Sequence, residues 1–318
     1  MKPNAKKPLL ILTGPTAVGK TRLSIELAKA VGGAILSADS MQVYRGMDIG
    51  TAKIKPEEMQ GIPHYLIDIL DPSEEFNVTR FQSLAKEAIV ECHQKGLIPI
   101  LTGGTGFYIQ AVLYDIDFTK EDADMTYRQE LEALAAEKGE DCLHDMLAAV
   151  DPESAAAIHK NNIKRVIRAL EYYKKSGEPI SAHNAKERER KSPYDFKYFV
   201  LTDDRQKLYE RIDRRVDQMI DEGLPAEAKW LYETGIPESA TSMQGIGYKQ
   251  WIPYFKGEIP YEEAVRILKR DTRHFAKRQL TWFKRERDVI WIDRREFADD
   301  EEAILRFMLE QTGWPYRK

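Results

Sequence analysis

Residues Gly14–Thr21 read G-P-T-A-V-G-K-T and satisfy every fixed position of the phosphate-binding pattern G-x-x-x-x-G-K-[ST]. The pattern constrains the fold because its weight depends on a buried strand before it and a helix after it. Both flanks comply. Leu9–Leu12 is an apolar run after Pro8, and Thr21–Val31 carries Leu23, Leu27, Ala28 and Val31 at helical spacing. Such a turn aims several backbone N–H groups and a helix N-terminus at one point, which suits a polyanionic phosphate. Gly14, Pro15, Thr16, Ala17, Val18, Gly19, Lys20 and Thr21 are therefore the candidate cradle. Lys20 adds positive charge at the outer phosphate, and the Thr21 hydroxyl is a candidate ligand for Mg²⁺. The chain is expected to handle a diphosphate or triphosphate.

Strand and helix alternate through about residue 112. Strands are expected at Leu9–Leu12, Ala34–Leu36, Tyr65–Ile69 and Ile98–Leu101, with helices at Lys20–Val31 and Val78–Lys95 and another starting near Gly106. This predicts an α/β fold: a P-loop NTPase-like parallel sheet flanked by helices. Ligands in such sheets lie beyond the carboxyl ends of the strands. Two further segments fall there, Ser37–Gln42 and Thr102–Thr105.

Between residues 113 and 195 the strand-like runs vanish. Helices are expected at Thr126–Lys138, Cys142–Val150, Ala155–His159 and Ile163–Lys175, and the polar stretch Ser181–Lys191 reads as a solvated linker or mobile loop. The chain thus divides into a core of residues 1–112 and 196–318 and a small inserted helical domain of residues 113–195. Tyr198–Leu201 reads as a strand returning to the sheet. Helices follow at Arg205–Asp221, Pro225–Glu233, Gly247–Phe255 and Tyr261–Arg287, then a strand at Val289–Ile292 and a helix at Glu301–Leu309.

A formal net charge of −4 in 318 residues excludes a polycation, so any nucleic-acid contact needs a local basic face. Two distant cysteines, Cys92 and Cys142, argue for a reducing compartment without a disulfide framework or a structural zinc. The first apolar run is too short for a signal peptide, and no run approaches a membrane span. A cytoplasmic protein without membrane contact is expected.

Asp39 is the leading catalytic candidate. A carboxylate ending the strand beside the phosphate loop can ligate Mg²⁺ through water or take a proton from an incoming nucleophile. It could also cap a turn, but Ser40 and Gln42 extend the polarity beyond what a cap needs. Thr105 offers a hydroxyl at the same sheet edge, after two glycines that could equally be a tight turn. Arg211, Arg214 and Arg215 lie on one expected helix. They suit a diphosphate, or form an exposed face paired with Glu210, Asp213 and Asp217. Arg266–Arg287 holds nine basic residues against Asp271 and Glu286, a net of +7. Arg266, Arg270, Arg273, Lys277 and Lys284 fall on one helical stripe, suited to a phosphate backbone. Lys164, Arg165 and Arg168 form a smaller basic cluster.

Further blocks carry a resemblance. S-A-D-S-M-Q-V-Y-R-G-M-D-I-G-T-A-K at Ser37–Lys53 and L-T-G-G-T-G-F-Y at Leu101–Tyr108 are joined by K-R-V-I-R-A-L-E at Lys164–Glu171. Q-G-I-G-Y-K-Q at Gln244–Gln250 and H-F-A-K-R-Q-L-T-W-F at His274–Phe283 complete the set. With the phosphate loop, these blocks resemble the tRNA dimethylallyltransferase family over nearly the whole chain. The resemblance implies that the loop holds dimethylallyl diphosphate rather than ATP, and that the acceptor is N6 of the adenosine 3′ of the anticodon. It implies Asp39 as general base, with Thr16, Lys20 and Thr21 on the diphosphate and Mg²⁺, and Arg215 also on the diphosphate. Asp39, Ser40, Met41, Gln42, Thr105 and Arg128 would line the adenosine site. Lys164, Arg165, Arg168, Gly247, Lys277, Arg278, Gln279, Lys284 and Arg285 fall in segments that would meet the tRNA anticodon stem-loop. The chain departs from eukaryotic relatives by showing no cysteine–histidine zinc-finger pattern near Lys318, which points to the bacterial branch, without zinc; a monomer is expected. A small-molecule kinase, a prenyltransferase of free adenine nucleotides and a nucleic-acid-binding ATPase are the competing readings. The basic segment argues against the first two, and the lack of a convincing Walker B run argues against the third.

Overall fold

A computed structural model of the chain describes residues 6–118 and 125–314. The chain divides into two compact units, Met1–Leu113 with Pro193–Lys318, and Tyr114–Ser192.

The first unit is built on six strands, β1 (Lys7–Thr13), β2 (Gly33–Ser37), β3 (His64–Tyr65), β4 (Ile98–Gly103), β5 (Tyr194–Thr202) and β6 (Val289–Asp293). Every pairing is parallel, in the order β3-β2-β4-β1-β5-β6. Strand β1 lies at the centre, with Leu9, Leu10, Ile11 and Leu12 wholly buried, which is why it reads as an unbroken apolar run. From β1 the chain crosses to β2 on one side, whereas β5 and β6 occupy the other. The switch of direction therefore flanks β1, where parallel sheets open a crevice for ligands. The register places Thr13 beside Gly103 and Val200, and Ser37 beside Thr102, so the loops after β1, β2, β4 and β5 emerge together.

Helices α1 (Lys20–Val31), α2 (Val78–Gln94) and α3 (Gly106–Leu113) follow β1, β3 and β4. The expected strand Tyr65–Ile69 shrinks to His64–Tyr65, because Leu66 and Asp68 turn to positive φ (67° and 55°) and break the extended run.

The second unit is helical: α4 (Met125–Lys138), α5 (Glu140–Val150), α6 (Pro152–Ala157), α7 (Ile163–Ser176) and α8 (Ile180–Glu189). Its core gathers Leu131, Leu143, Leu147, Val166, Ile167 and Leu170. Helix α8 corrects the expectation of a linker or mobile loop at Ser181–Lys191. Its start is anchored by the buried Asp151, whose carboxylate accepts from the Ser181 amide (3.0 Å) and hydroxyl (2.6 Å). Near its end Glu187 and Arg190 form an ion pair at 3.0 Å.

The chain returns to the first unit with α9 (Arg205–Asp221), α10 (Leu224–Glu233), α11 (Ile252–Phe255), α12 (Tyr261–Phe283) and α13 (Glu301–Thr312). The helix expected from Gly247 begins only at Ile252. Gly247 has φ 106°, and a Cβ there would lie 3.1 Å from the Gly50 carbonyl oxygen. Helix α12 stops at Phe283 rather than Arg287; the amides of Arg285 and Glu286 turn back onto the carbonyls of Trp282 and Phe283. No helix among the described residues is long and apolar enough to cross a membrane.

Candidate active site

The phosphate loop takes the shape its glycines permit. Gly14 and Gly19 have φ 147° and 99°, and a Cβ on Gly14 would sit 2.6 Å from the Leu201 carbonyl oxygen of β5. Among the described residues, the N–H groups of Ala17, Val18 and Gly19 donate to no protein acceptor, leaving a run of donors in the turn. The Lys20 ammonium folds back over the loop and donates to the carbonyls of Gly14 (3.0 Å) and Pro15 (2.7 Å). From behind, the buried Arg294 donates to the Val18 carbonyl at 3.4 Å and is held by Asp299 and Glu301. The sequence reading missed Arg294, because nothing local distinguishes it from the exposed Arg295.

Three ionisable groups from three elements meet beside this loop. Burial lowers the Lys20 pKa to about 7, helped by the Arg215 guanidinium and partly opposed by Asp39. Asp39, just beyond β2, has its pKa raised by burial, although Lys20, Arg215 and the backbone amides it accepts all pull it down. Those amides are Met41 N–H at 2.8 Å and Gln42 N–H at 3.3 Å, both on Oδ1. Arg215 reaches in from α9, and burial lowers its pKa too, with Asp39 and Glu222 opposing. The trio thus competes for little solvent, with two cations facing one carboxylate.

A cavity of about 310 Å³ opens beside them. Thr16, Asp39, Thr105 and Arg215 line it with Ser40, Met41, Gly247 and Arg278, so the structure brings these predicted residues together. The remaining walls are mainly apolar: Ile212, Val216 and Met219 of α9, and Leu268 and Phe275 of α12. A wall loop is fixed by Glu227 of α10, also missed from sequence. Its carboxylate accepts from the amides of Asp48, Ile49 and Gly50 (2.9, 2.8 and 2.9 Å) and from the Tyr248 hydroxyl (2.7 Å).

One end of a central parallel sheet thus joins a glycine-rich loop with unpaired amides, a buried carboxyl and a partly apolar chamber. The IPP transferase family model matches residues 42–286. A tRNA dimethylallyltransferase of Lachnoclostridium phytofermentans is 62% identical over 95% of this chain and 96% of its own length. The chain belongs to the IPP transferase family. A second relative bearing that enzyme name, from Halalkalibacterium halodurans, is 51% identical over 94% of this chain and 95% of its own. A crystal structure of a tRNA isopentenylpyrophosphate transferase from Bacillus halodurans superposes with a TM-score of 0.72 at 49% identity, covering 96% of this chain and 97% of that one. A eukaryotic dimethylallyltransferase acting on tRNA gives a TM-score of 0.82 at 29% identity, covering 98% and 81%.

Other predicted residues lie outside the cavity wall. The Gln42 side chain is spent internally, accepting from the Ser37 hydroxyl (2.8 Å) and donating to the Thr51 carbonyl (3.2 Å). Gln279, expected to face RNA, is buried instead and hydrogen-bonds the phosphate loop. Thr21 is exposed in the first turn of α1. In the second unit Arg128 forks onto Glu171 at 2.9 and 2.8 Å, and α7 carries Lys164 and Arg165 exposed with Arg168 half-buried.

The expected cationic stripe of α12 is only partly available. Arg266, Arg270 and Arg273 are ion-paired with Glu263, Asp271 and Asp213, and Lys269 with Asp217. Lys277, Arg278, Lys284 and Arg285 are exposed and form no ion pair among the described residues. The usable charge is therefore confined to the helix's C-terminal end and the turn after it.

Among the described residues no group of three or more His, Cys, Asp or Glu could hold a metal. The Thr21 hydroxyl, exposed in the first turn of α1, and the buried carboxyl of Asp39 are the sparse oxygen donors the sequence reading names. That fits Mg²⁺, which is usually held by one or two protein groups plus substrate phosphates.

Proposed function

We propose that this chain transfers a dimethylallyl group from dimethylallyl diphosphate to N6 of the adenosine 3′ of the anticodon in tRNA, releasing diphosphate. The reading rests on one observation above all: Asp39 and Arg215, each within electrostatic reach of Lys20, line the same chamber as the apolar Ile212, Val216, Met219, Leu268 and Phe275. A prenyl diphosphate has that polarity, with an anionic head and a hydrocarbon tail.

The residues then take these roles. The amides of Ala17, Val18 and Gly19, with Lys20 and Arg215, receive the diphosphate. The N6–carbon bond forms as the carbon–oxygen bond to diphosphate breaks, so negative charge grows on the oxygens these donors face. Binding that anion restores the positive charge on Lys20, which burial alone depletes. Asp39 accepts the N6 proton. Its raised pKa makes it a stronger base than an exposed carboxylate, and such proton transfer contributes on the order of 10²–10⁴-fold. Thr16 and Thr105 supply hydroxyls beside the reacting centre. Mg²⁺, held by the diphosphate and the Thr21 hydroxyl, would neutralise leaving-group charge.

The target base must leave its stack to enter the chamber, at a cost of a few kcal/mol that an unpaired loop reduces. Arg278, on the chamber rim, and the exposed Lys277, Lys284 and Arg285 provide the counter-charge for the RNA backbone. Lys164, Arg165 and Arg168 add a second basic face on the inserted unit.

Purified protein given Mg²⁺, labelled dimethylallyl diphosphate and unmodified tRNA should place the label in the RNA. Label on free AMP alone would replace this reading with a nucleotide prenyltransferase. ATP turnover without label transfer would replace it with a kinase or an ATPase.

A further inference from the structure

Gln279 departs from the role that its place among the cations of α12 suggests. It is 6% exposed, and both ends of its amide are committed. The side-chain oxygen accepts from the Thr16 N–H at 2.9 Å, and the side-chain nitrogen donates to the Gly104 carbonyl at 3.0 Å. One side chain from the RNA-presenting helix thereby joins the loop after β1 to the loop after β4. A second observation agrees. A Cβ built on Gly104 would fall 2.0 Å from the Gln279 amide nitrogen, so the glycine leaves the space that this amide fills. On either side of Gln279 in sequence, the exposed Lys277, Arg278, Lys284 and Arg285 face solvent while Gln279 points inward.

We propose that Gln279 is a positioning residue: it ties α12 to the Pro15–Thr16 peptide of the phosphate loop and so sets the loop for diphosphate. The inference rests on the prenyl-transfer reading for its catalytic consequence, though not for its structural one. Thr16 is the loop residue that reaches both the chamber and the Gln279 amide. Its N–H, being occupied, leaves anion binding to the amides that follow. Gln279 makes no contact with substrate in this scheme. It acts through the loop, and through the spacing between Thr16 and Thr105, which both line the chamber.

The test compares Gln279→Leu, Gly104→Ala and the double variant. Three readouts apply: inorganic diphosphate affinity by calorimetry, tRNA affinity by filter binding, and kcat with both substrates saturating. The proposal expects Gln279→Leu to weaken inorganic diphosphate about tenfold and to lower kcat by about 10- to 100-fold, as loss of alignment near a reacting centre does. tRNA affinity should stay within about threefold. Gly104→Ala displaces the same amide, so the double variant should be no worse than the more severe single one, because effects through one shared bond do not add. Gln279→Met replaces the leucine variant if that one fails to fold. A tRNA affinity loss matching the loss in kcat/KM would make Gln279 an RNA contact and overturn the proposal. Unchanged diphosphate affinity, or additive losses in the double variant, would overturn it too. If the unmutated chain transfers no prenyl group to RNA, the function fails, while the diphosphate titrations still decide on Gln279.

Discussion

Lys20 should make diphosphate binding depend on pH in a way an ordinary lysine cannot. In the ligand-free protein its pKa lies at about 7 instead of 10.5, because burial and the Arg215 charge outweigh the attraction of Asp39. A bound diphosphate favours the protonated form. The sign is therefore fixed: affinity is greatest below the ligand-free pKa and declines above it until the higher pKa of the complex is reached. For a single titrating group the apparent Kd grows by the factor one plus the ratio of neutral to protonated lysine. That gives about tenfold weakening at about pH 8 and about 100-fold at about pH 9, against less than about 1.1-fold for a lysine of unperturbed pKa.

Calorimetric titration of inorganic diphosphate in metal-free buffers from about pH 6 to 9 measures this directly. Repeating it in buffers of different ionisation enthalpy counts protons, with close to one taken up per ligand expected at about pH 8. Lys20→Arg is the control, since a guanidinium stays charged throughout the range and should give a flat profile above the ligand's own ionisation. A wild-type Kd that stays constant above about pH 7, with no proton uptake, would refute the argument. It would mean that Lys20 keeps its charge without a ligand and that the loop carbonyls of Gly14 and Pro15 compensate its burial.

Asp39→Asn keeps an acceptor for the amides of Met41 and Gln42 but cannot take a proton. Turnover should fall on the order of 10²–10⁴-fold, with tRNA affinity within about threefold. Because the fold already disfavours the ionised carboxyl, the melting temperature should be unchanged or higher; a large drop would show that the charge holds the site together. Replacing Lys277, Lys284 and Arg285 together by Ala should make the dependence of log K for tRNA on log salt shallower by about 2 to 3, whereas Arg273→Ala, already paired with Asp213, should leave it unchanged.

What the sequence displayed and what it hid divide along physical lines. The phosphate loop was legible because eight consecutive residues carry both its shape and its chemistry. Asp39 and Thr105 were legible because strand ends in a parallel sheet share an edge, and the register of β2 with β4 delivers that edge. Helix α8 was not, since its charged sequence lacks an apolar stripe and its start is fixed by Asp151, 30 residues away. Glu227 caps three amides some 180 residues distant, a pairing no local pattern announces. Gln279, which the resemblance placed in a tRNA-contact segment, is buried in the structure. Its neighbours are cations, and only the fold shows that the helix turns this one side chain inward.

The ion pairs of α12 also explain why a segment of such charge need not be a uniform RNA-binding surface. Individually, pairs of this kind near the surface contribute only about 0.2–1 kcal/mol. Their placement matters more. Arg273 and Lys269 grip Asp213 and Asp217, four residues apart on α9, and between them in sequence Arg215 projects from the other side of that helix into the chamber. The N-terminal cations of α12 therefore orient the helix that delivers Arg215, and Gln279 further along fixes the loop that holds Lys20. Only beyond those two fastenings are Lys284 and Arg285 left for a partner, together with the outward-facing Lys277 and Arg278. On this division, neutralising the first set should change diphosphate binding before it changes RNA binding, and neutralising the second should do the reverse.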